Sequence, residues 1–268
     1  MNHVLWIGGP PCAGKTTIAS RLARRHGLRL YSADTRTWVH RDRALAARNP
    51  AAMRWESMTT TERSERSSPA EMLEMSLHRQ RGQMVIDDVE GLPSAPLVVA
   101  EGTPVPPWAV PGGIIERSHS VWLIPTIELQ DRLLEGRVGT SDHIRLYRDL
   151  RAVIARDATE AGVAVIPVDG RPALDDAFEE IERRFAAVIA AGPVAGSAGQ
   201  RRALLREANL AIVAQVRAYF ARPWSRGQAE TVTGRFACEC GDTGCDQDLS
   251  LSIGDVASTP PMAPGHSA

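Results

Sequence analysis

The sequence predicts an α/β protein, with a five-stranded parallel sheet covered by helices on both faces and a small C-terminal appendage behind it. Three observations predict it. Short apolar runs recur at His3–Ile7, Leu28–Tyr31, Leu97–Ala100, Val121–Ile124 and Val163–Val168, alternating with stretches of helical periodicity. A glycine-rich turn, Gly9–Thr16, lies between the first run and the first helix. A small-residue stretch at 191–200 separates this pattern from a further helix and a cysteine-bearing tail.

Each element has its own signal. Val-Leu-Trp-Ile suits a strand buried on both faces, and Ile18, Leu22 and Ala23 then recur at helical spacing through His26. The second strand ends at Ser32-Ala33-Asp34, and Thr35–Arg48 reads as a helix broken by Asn49-Pro50. The polar segment Glu56–Pro69 is expected to be a mobile connection or exposed helix ends. From Ala70 to Asp88, Met72, Leu73, Met75, Leu77 and Met84 suggest one helix, stopped by Gly91, Pro93 and Pro96. The strand Leu97–Ala100 ends at Glu101-Gly102, and a proline-rich loop, Thr103–Gly113, leads to the fourth strand. Helices are then expected from Pro125-Thr126 to Gly136, over Ser141–Ala161, over Pro172–Ala190 and over Arg201–Ala221. The expected organisation is a domain at 1–190, a linker at 191–200 and a C-terminal module at 201–268.

Bulk properties exclude several classes. The chain has 268 residues, a net charge of −1 and 24% charged residues, so it offers no polybasic surface for nucleic acid or an anionic membrane. No apolar stretch approaches the ~20 residues that span a bilayer. The N-terminus runs straight into an apolar strand, which leaves no signal peptide to be expected and points to the cytoplasm.

Chemistry concentrates at the first turn. Lys15 is the only lysine in the chain, against an arginine-rich background typical of a GC-rich genome. It closes Gly9-Pro10-Pro11-Cys12-Ala13-Gly14-Lys15-Thr16, which fits the phosphate-loop pattern at every fixed position. A lysine there is a compact point charge that reaches β- and γ-phosphates, whereas a guanidinium is bulkier and planar. Gly9 to Thr17 are therefore the expected nucleotide-binding residues, with the Thr16 hydroxyl directed to Mg²⁺. Cys12 is expected to be a small buried residue.

Other residues narrow the class. With no second lysine, the Asn/Thr-Lys-x-Asp guanine motif cannot exist. Met84-Val85-Ile86-Asp87-Asp88 reads as a helix end; were it a strand, Asp88 would be the acidic Mg²⁺ partner. Asp34, ending the second strand, is placed to accept a proton from an acceptor hydroxyl, or else to cap the next helix. Glu101 is a candidate for the acceptor or for a Mg²⁺-bound water, and Arg36 a candidate for substrate. Arg132 and Arg137, near Gly136 and Gly139, are candidate lid arginines that offset charge on a transferring phosphoryl group, with Arg145 and Arg148 behind them.

Taken together, Val-Leu-Trp-Ile-Gly-Gly-Pro-Pro-Cys-Ala-Gly-Lys-Thr-Thr, Tyr-Ser-Ala-Asp34, Val-Val-Ala-Glu-Gly102 and the arginine-bearing segment resemble the adenylate-kinase-like small-molecule kinases, among them the gluconate, shikimate and chloramphenicol kinases. The resemblance covers roughly residues 1–190. It implies strand order 2-3-1-4-5, Mg-ATP as donor, a hydroxyl acceptor such as an antibiotic or other metabolite, and Asp34 as base.

Cys238-Glu-Cys240 and Cys245 lie in a Gly- and Asp-rich turn, with His266 twenty-one residues on from Cys245. Three thiols and an imidazole suit a tetrahedral zinc shell, though the Cys-x-Cys spacing also allows reduced thiols or a redox pair. The segment resembles a C-terminal module recurring in actinobacterial proteins. The expected activity is transfer of the ATP γ-phosphate to a small-molecule hydroxyl. The rival is a nucleotide-dependent regulatory module that docks a protein partner through the 201–221 helix and the tail.

Overall fold

The computed structural model describes residues 1–135 and 141–267. Strands β1 (Val4–Gly8), β2 (Arg29–Ser32), β3 (Val98–Gly102), β4 (Ser120–Pro125) and β5 (Val165–Val168) form one parallel sheet in the order β2-β3-β1-β4-β5. This is the α/β/α arrangement with strand order 2-3-1-4-5.

β1 is buried along its whole length, yet its two faces serve different layers. Leu5 and Ile7 join Val99, Leu123 and the helices α1 (Lys15–His26) and, late in the chain, Arg171–Ala191, through Ile18, Leu22, Phe178, Ile181 and Phe185. Val4 and Trp6 join Val98, Ala100 and Trp122 on the opposite face. That face is covered by the helices between β2 and β3 and by the helix Ser141–Glu160, through Met75, Val85, Ile86, Leu150 and Ile154.

After β2 a 3₁₀ turn, Ala33–Arg36, leads into α2 (Thr37–Ala46), followed by α3 (Pro50–Ser57) and α4 (Thr60–Arg66). The polar 56–69 segment, expected as a mobile connection or exposed helix ends, holds the end of α3, the whole of α4 and the start of the helix that follows. Reciprocal hydrogen bonds between Thr59 and Glu62, and between Ser68 and Glu71, start α4 and α5 (Pro69–Met75). The single helix expected over 70–88 is two: α5 stops, Leu77 takes φ 58°, and α6 (His78–Glu90) starts in a new direction. Leu77 is almost fully buried, so packing of its side chain holds a backbone conformation that periodicity does not foresee. Met84–Asp88 lies inside α6, as expected.

α7 (Ile127–Glu135) follows β4, and α8 (Ser141–Glu160) and α9 (Arg171–Ala191) flank β5. The 191–200 segment is tied to the sheet layers: the Leu97 amide donates to Pro193 O and the Ala195 amide to Gly27 O, each at 2.8 Å. Within it α10 (Ala198–Phe220) already begins, earlier than expected, because Ser197 and Gln200 cap each other's backbone. α10 runs beside edge strand β2, the 3₁₀ turn and α2. A hairpin of β6 (Thr233–Ala237) and β7 (Asp248–Ser252) and a last short helix, α11 (Ile253–Ser258), close on its other side through Val213, Phe236, Ile253 and Val256. Among the described residues no helix is long and apolar enough to cross a membrane.

Candidate active site

Everything at the candidate site stems from where strands end. β1 gives way to the 9–16 turn, in which Cys12 and Gly14 have φ of 69° and 82°. Gly14 is required: its backbone is left-handed, and a Cβ there would lie 2.3 Å from Leu174 Cδ1. It caps α1 without a side-chain hydrogen bond, so the first-turn amides of α1 stay directed at the turn, an arrangement suited to anions. Lys15 is buried and its ammonium donates to Pro10 O at 2.8 Å, which holds the side chain across the loop. Cys12 is half-buried rather than buried, since its left-handed φ sets it at the crest of the turn.

Parallel register brings Ser32, Glu101 and Ile7 side by side at the carboxyl ends of β2, β3 and β1. Glu101 is wholly buried. Its Oε1 accepts from the Thr16 hydroxyl at 3.2 Å and from the Ser32 hydroxyl. Its Oε2 is buried with no protein partner. Burial first, and then the nearby Asp34 carboxylate, push the Glu101 pKa up to about 7, against the opposing pull of Lys15, Ser32 and Thr16.

An unpartnered, buried carboxylate oxygen is costly unless something engages it. The Thr16 hydroxyl and the Glu101 carboxylate form an all-oxygen donor set beside a phosphate-binding turn, which fits Mg²⁺ with its retained waters.

Asp34 is exposed on the 3₁₀ turn, close enough to raise Glu101. The backbone beneath it is held by a relay absent from the sequence reading. Arg81, from α6, donates through Nη2 to Ala33 O at 2.6 Å and through Nε to His40 Nδ1 at 3.4 Å. With Nδ1 accepting, the His40 proton resides on Nε2, which donates to Asp88 Oδ2 at 3.0 Å. Burial favours this neutral imidazole. Burial alone would raise Asp88, but the hydrogen bonds from His40 and Tyr31 hold it at about 2. Asp88 also receives Arg36 Nε at 3.3 Å and Arg43 Nη1 at 2.9 Å. Asp88 therefore belongs to this relay, while Glu101 is the acidic group joined to Thr16. Arg36, expected toward a substrate, is engaged by Asp88.

The other expected residues are more dispersed. Thr17 is exposed on α1 and Arg132 exposed on α7. Arg137 lies outside the described residues. Arg145 is exposed on α8, and Arg148 Nε donates to Asp131 at 2.7 Å. Gln130, not singled out by the sequence, is buried and donates to Pro11 O and Tyr147 O at 3.2 Å each, joining α7 and α8 to the loop. Its only signal was a polar residue on the apolar side of α7. In the C-terminal region Cys238, Cys240, Cys245 and His266 come together, their ligand atoms all within 4.8 Å of one another.

The chain matches no protein-family model. No curated relative matches it either. Solved structures with a similar course include the shikimate kinase from Acinetobacter baumannii in complex with shikimate. It shares 18% identity over 69% of this chain and 93% of that one, with a TM-score of 0.39. Another is TT1252 from Thermus thermophilus, with 21% identity over 70% and 96% of the two chains and a TM-score of 0.38. The fold class of this chain, a P-loop α/β/α protein, follows from its own sheet order and phosphate turn.

Proposed function

We propose that the chain is an ATP- and Mg²⁺-dependent phosphotransferase that moves the γ-phosphoryl group onto a hydroxyl of a small molecule. The observation that carries this reading is the junction of Thr16, Ser32 and the buried Glu101, with its open Oε2, between the phosphate turn and Asp34. Thr16 and a buried carboxylate on the neighbouring strand suit a metal-bound triphosphate, and the exposed Asp34 beside them adds a base for an acceptor hydroxyl.

The roles follow from the chemistry. The turn amides and Lys15 hold the donor phosphates and offset their charge. Thr16 and Glu101 would hold the metal, which would supply positive charge to offset that of the donor phosphates. Asp34 takes the proton of the acceptor O–H as the oxygen bonds to the γ-phosphorus, while the bridging P–O bond breaks and ADP leaves. Arg132 and Arg137 are the arginines assigned to close over the transfer. In this reading residues 1–190 carry the chemistry and 201–268 form an accessory module.

One observation favours the rival, a nucleotide-dependent docking module: α10 lies against the very turn that bears Asp34. A screen of hydroxyl compounds with labelled ATP separates the two. The kinase reading expects a phosphorylated product and, in Asp34→Asn, lost turnover with ATP affinity kept. Absence of any phosphorylated acceptor, with Asp34→Asn indistinguishable from the parent, would leave the rival standing.

A further inference from the structure

We infer that Cys238, Cys240, Cys245 and His266 form a closed, structural zinc site that staples the chain's last residues to the β6–β7 hairpin and to α10. The ligand type and the spacing both point there. The His266 Nδ1 atom lies 3.4 Å from Cys238 Sγ and 3.6 Å from Cys245 Sγ. Zinc bonds of about 2.3 Å to sulfur and about 2.0–2.1 Å to nitrogen, meeting at the tetrahedral angle, leave S and N about 3.5 Å apart. The two edges bracket that value. None of the three thiols is in a disulfide.

The surroundings are those of a supported site rather than a chance cluster. The Ala263 amide donates to Cys238 Sγ at 3.3 Å, the kind of outer contact that orients a thiolate ligand. Asn209 of α10, itself buried, grips the strand just before the cysteines. Its Oδ1 accepts from the Ala237 amide at 3.0 Å, and its Nδ2 donates to Ala237 O at 2.9 Å and to Glu239 Oε1 at 2.8 Å. Gly241 follows Cys240 with φ 76°, and a Cβ there would meet Ala198 O at 2.6 Å. The thiol-bearing turn is thus seated on the first residues of α10 and leaves no room to swing away. Four protein ligands complete a tetrahedron without water, which assigns the metal a structural and not a catalytic role. A region whose own apolar core is so small gains its fold from such a bond.

The test uses the full chain and metal analysis after gel filtration, so its outcome does not depend on whether the phosphotransferase reading holds. About one zinc per chain is expected, retained by Cys12→Ser, lost from His266→Ala and kept by His266→Cys, which restores a fourth ligand. Cobalt replacement should produce a thiolate charge-transfer band that His266→Ala diminishes. If Cys240→Ser fails to fold, His266→Ala and His266→Cys still decide the matter, because His266 sits in the exposed final turn. Zinc absent even after loading, zinc unchanged in His266→Ala, or two of the three thiols found oxidised in the purified chain would overturn the site.

Discussion

The two ends of this chain are stabilised in different ways. In residues 1–191 the five-stranded sheet carries apolar side chains into two separate layers, with buried polar groups at strand ends, such as Glu101, and within the helices, such as His40, Arg81 and Gln130. In residues 198–267 the apolar core is Val213, Phe236, Ile253 and Val256, with Cys238, Cys240 and Ala263 beside it. The second core is far smaller than the first, and a core of that size is marginal by itself. The C-terminal region therefore leans on its neighbour. Arg222 reaches Asp42 at 2.7 Å, Glu56 at 3.4 Å and Trp38 O at 3.1 Å. Trp224 donates to Glu56 at 2.7 Å and lies with Tyr219 against Trp38, ring centroids 5.7 and 5.6 Å away. Arg24 and Arg29 pair with Asp248 and Glu207. In the first region polar groups at the strand ends line the candidate site, whereas these polar groups of the second region attach it to the first.

That contrast breaks if polar substitutions at the strand ends and at the attachment have the same consequence. The largest effect is expected at Asp34: Asn there lowers kcat by ~10²–10⁴-fold while ATP affinity and melting temperature hold, read by steady-state kinetics and calorimetry. Lys15→Met removes one preorganised cation and should reduce transfer by ~10²–10³-fold, with ATP affinity falling too and circular dichroism unchanged. Glu101 sharpens the comparison through pH. Its pKa is raised from 4.5 to about 7, so the folded chain favours the neutral acid. Its contribution to stability is therefore present below 4.5 and lost as pH rises through about 7, whereas holding a metal needs the ionised form. Turnover should accordingly rise across that window, and Glu101→Gln should flatten the rise and remove the matching decline in melting temperature. Arg222→Ala should instead leave ATP affinity alone and cost about 1.5–3 kcal/mol in attachment of α10, since charged hydrogen bonds to a half-buried partner are lost. Amide exchange in α10 and the β6–β7 hairpin reads it. Smallest is Thr59→Ala, which removes one helix cap for about 1 kcal/mol in denaturant unfolding with no change in turnover.

The phosphate turn was legible because its logic is local. Gly14, Lys15 and Thr16 are contiguous, and strand, turn and helix must follow one another for their amides to converge. Glu101 was legible for a related reason, as a carboxylate ending an apolar run. Ser32 was not, since a serine at a strand end looks the same whether it faces solvent or a buried carboxylate; only the register of β2 on β3 distinguishes them. The relay from Asp88 through His40 and Arg81 to Ala33 O joins α2, α6 and the turn through hydrogen bonds that span 41 or 48 positions of sequence. No spacing rule anticipates it. The break at Leu77 was likewise hidden, because periodicity sees an apolar residue and not the sign of its φ.

By itself the sequence determined the five strands of the parallel sheet and most of the helices between them, the phosphate turn with its single lysine, and the set of three cysteines and a histidine. These depend on periodicity and on neighbours in sequence. Tertiary structure decided which carboxylate meets Thr16, which arginine supports the Asp34 turn, that α10 lies along β2, and that His266 closes on the thiols. Those outcomes depend on register and on the packing of distant elements, where free energies of a few kcal/mol select one partner among many.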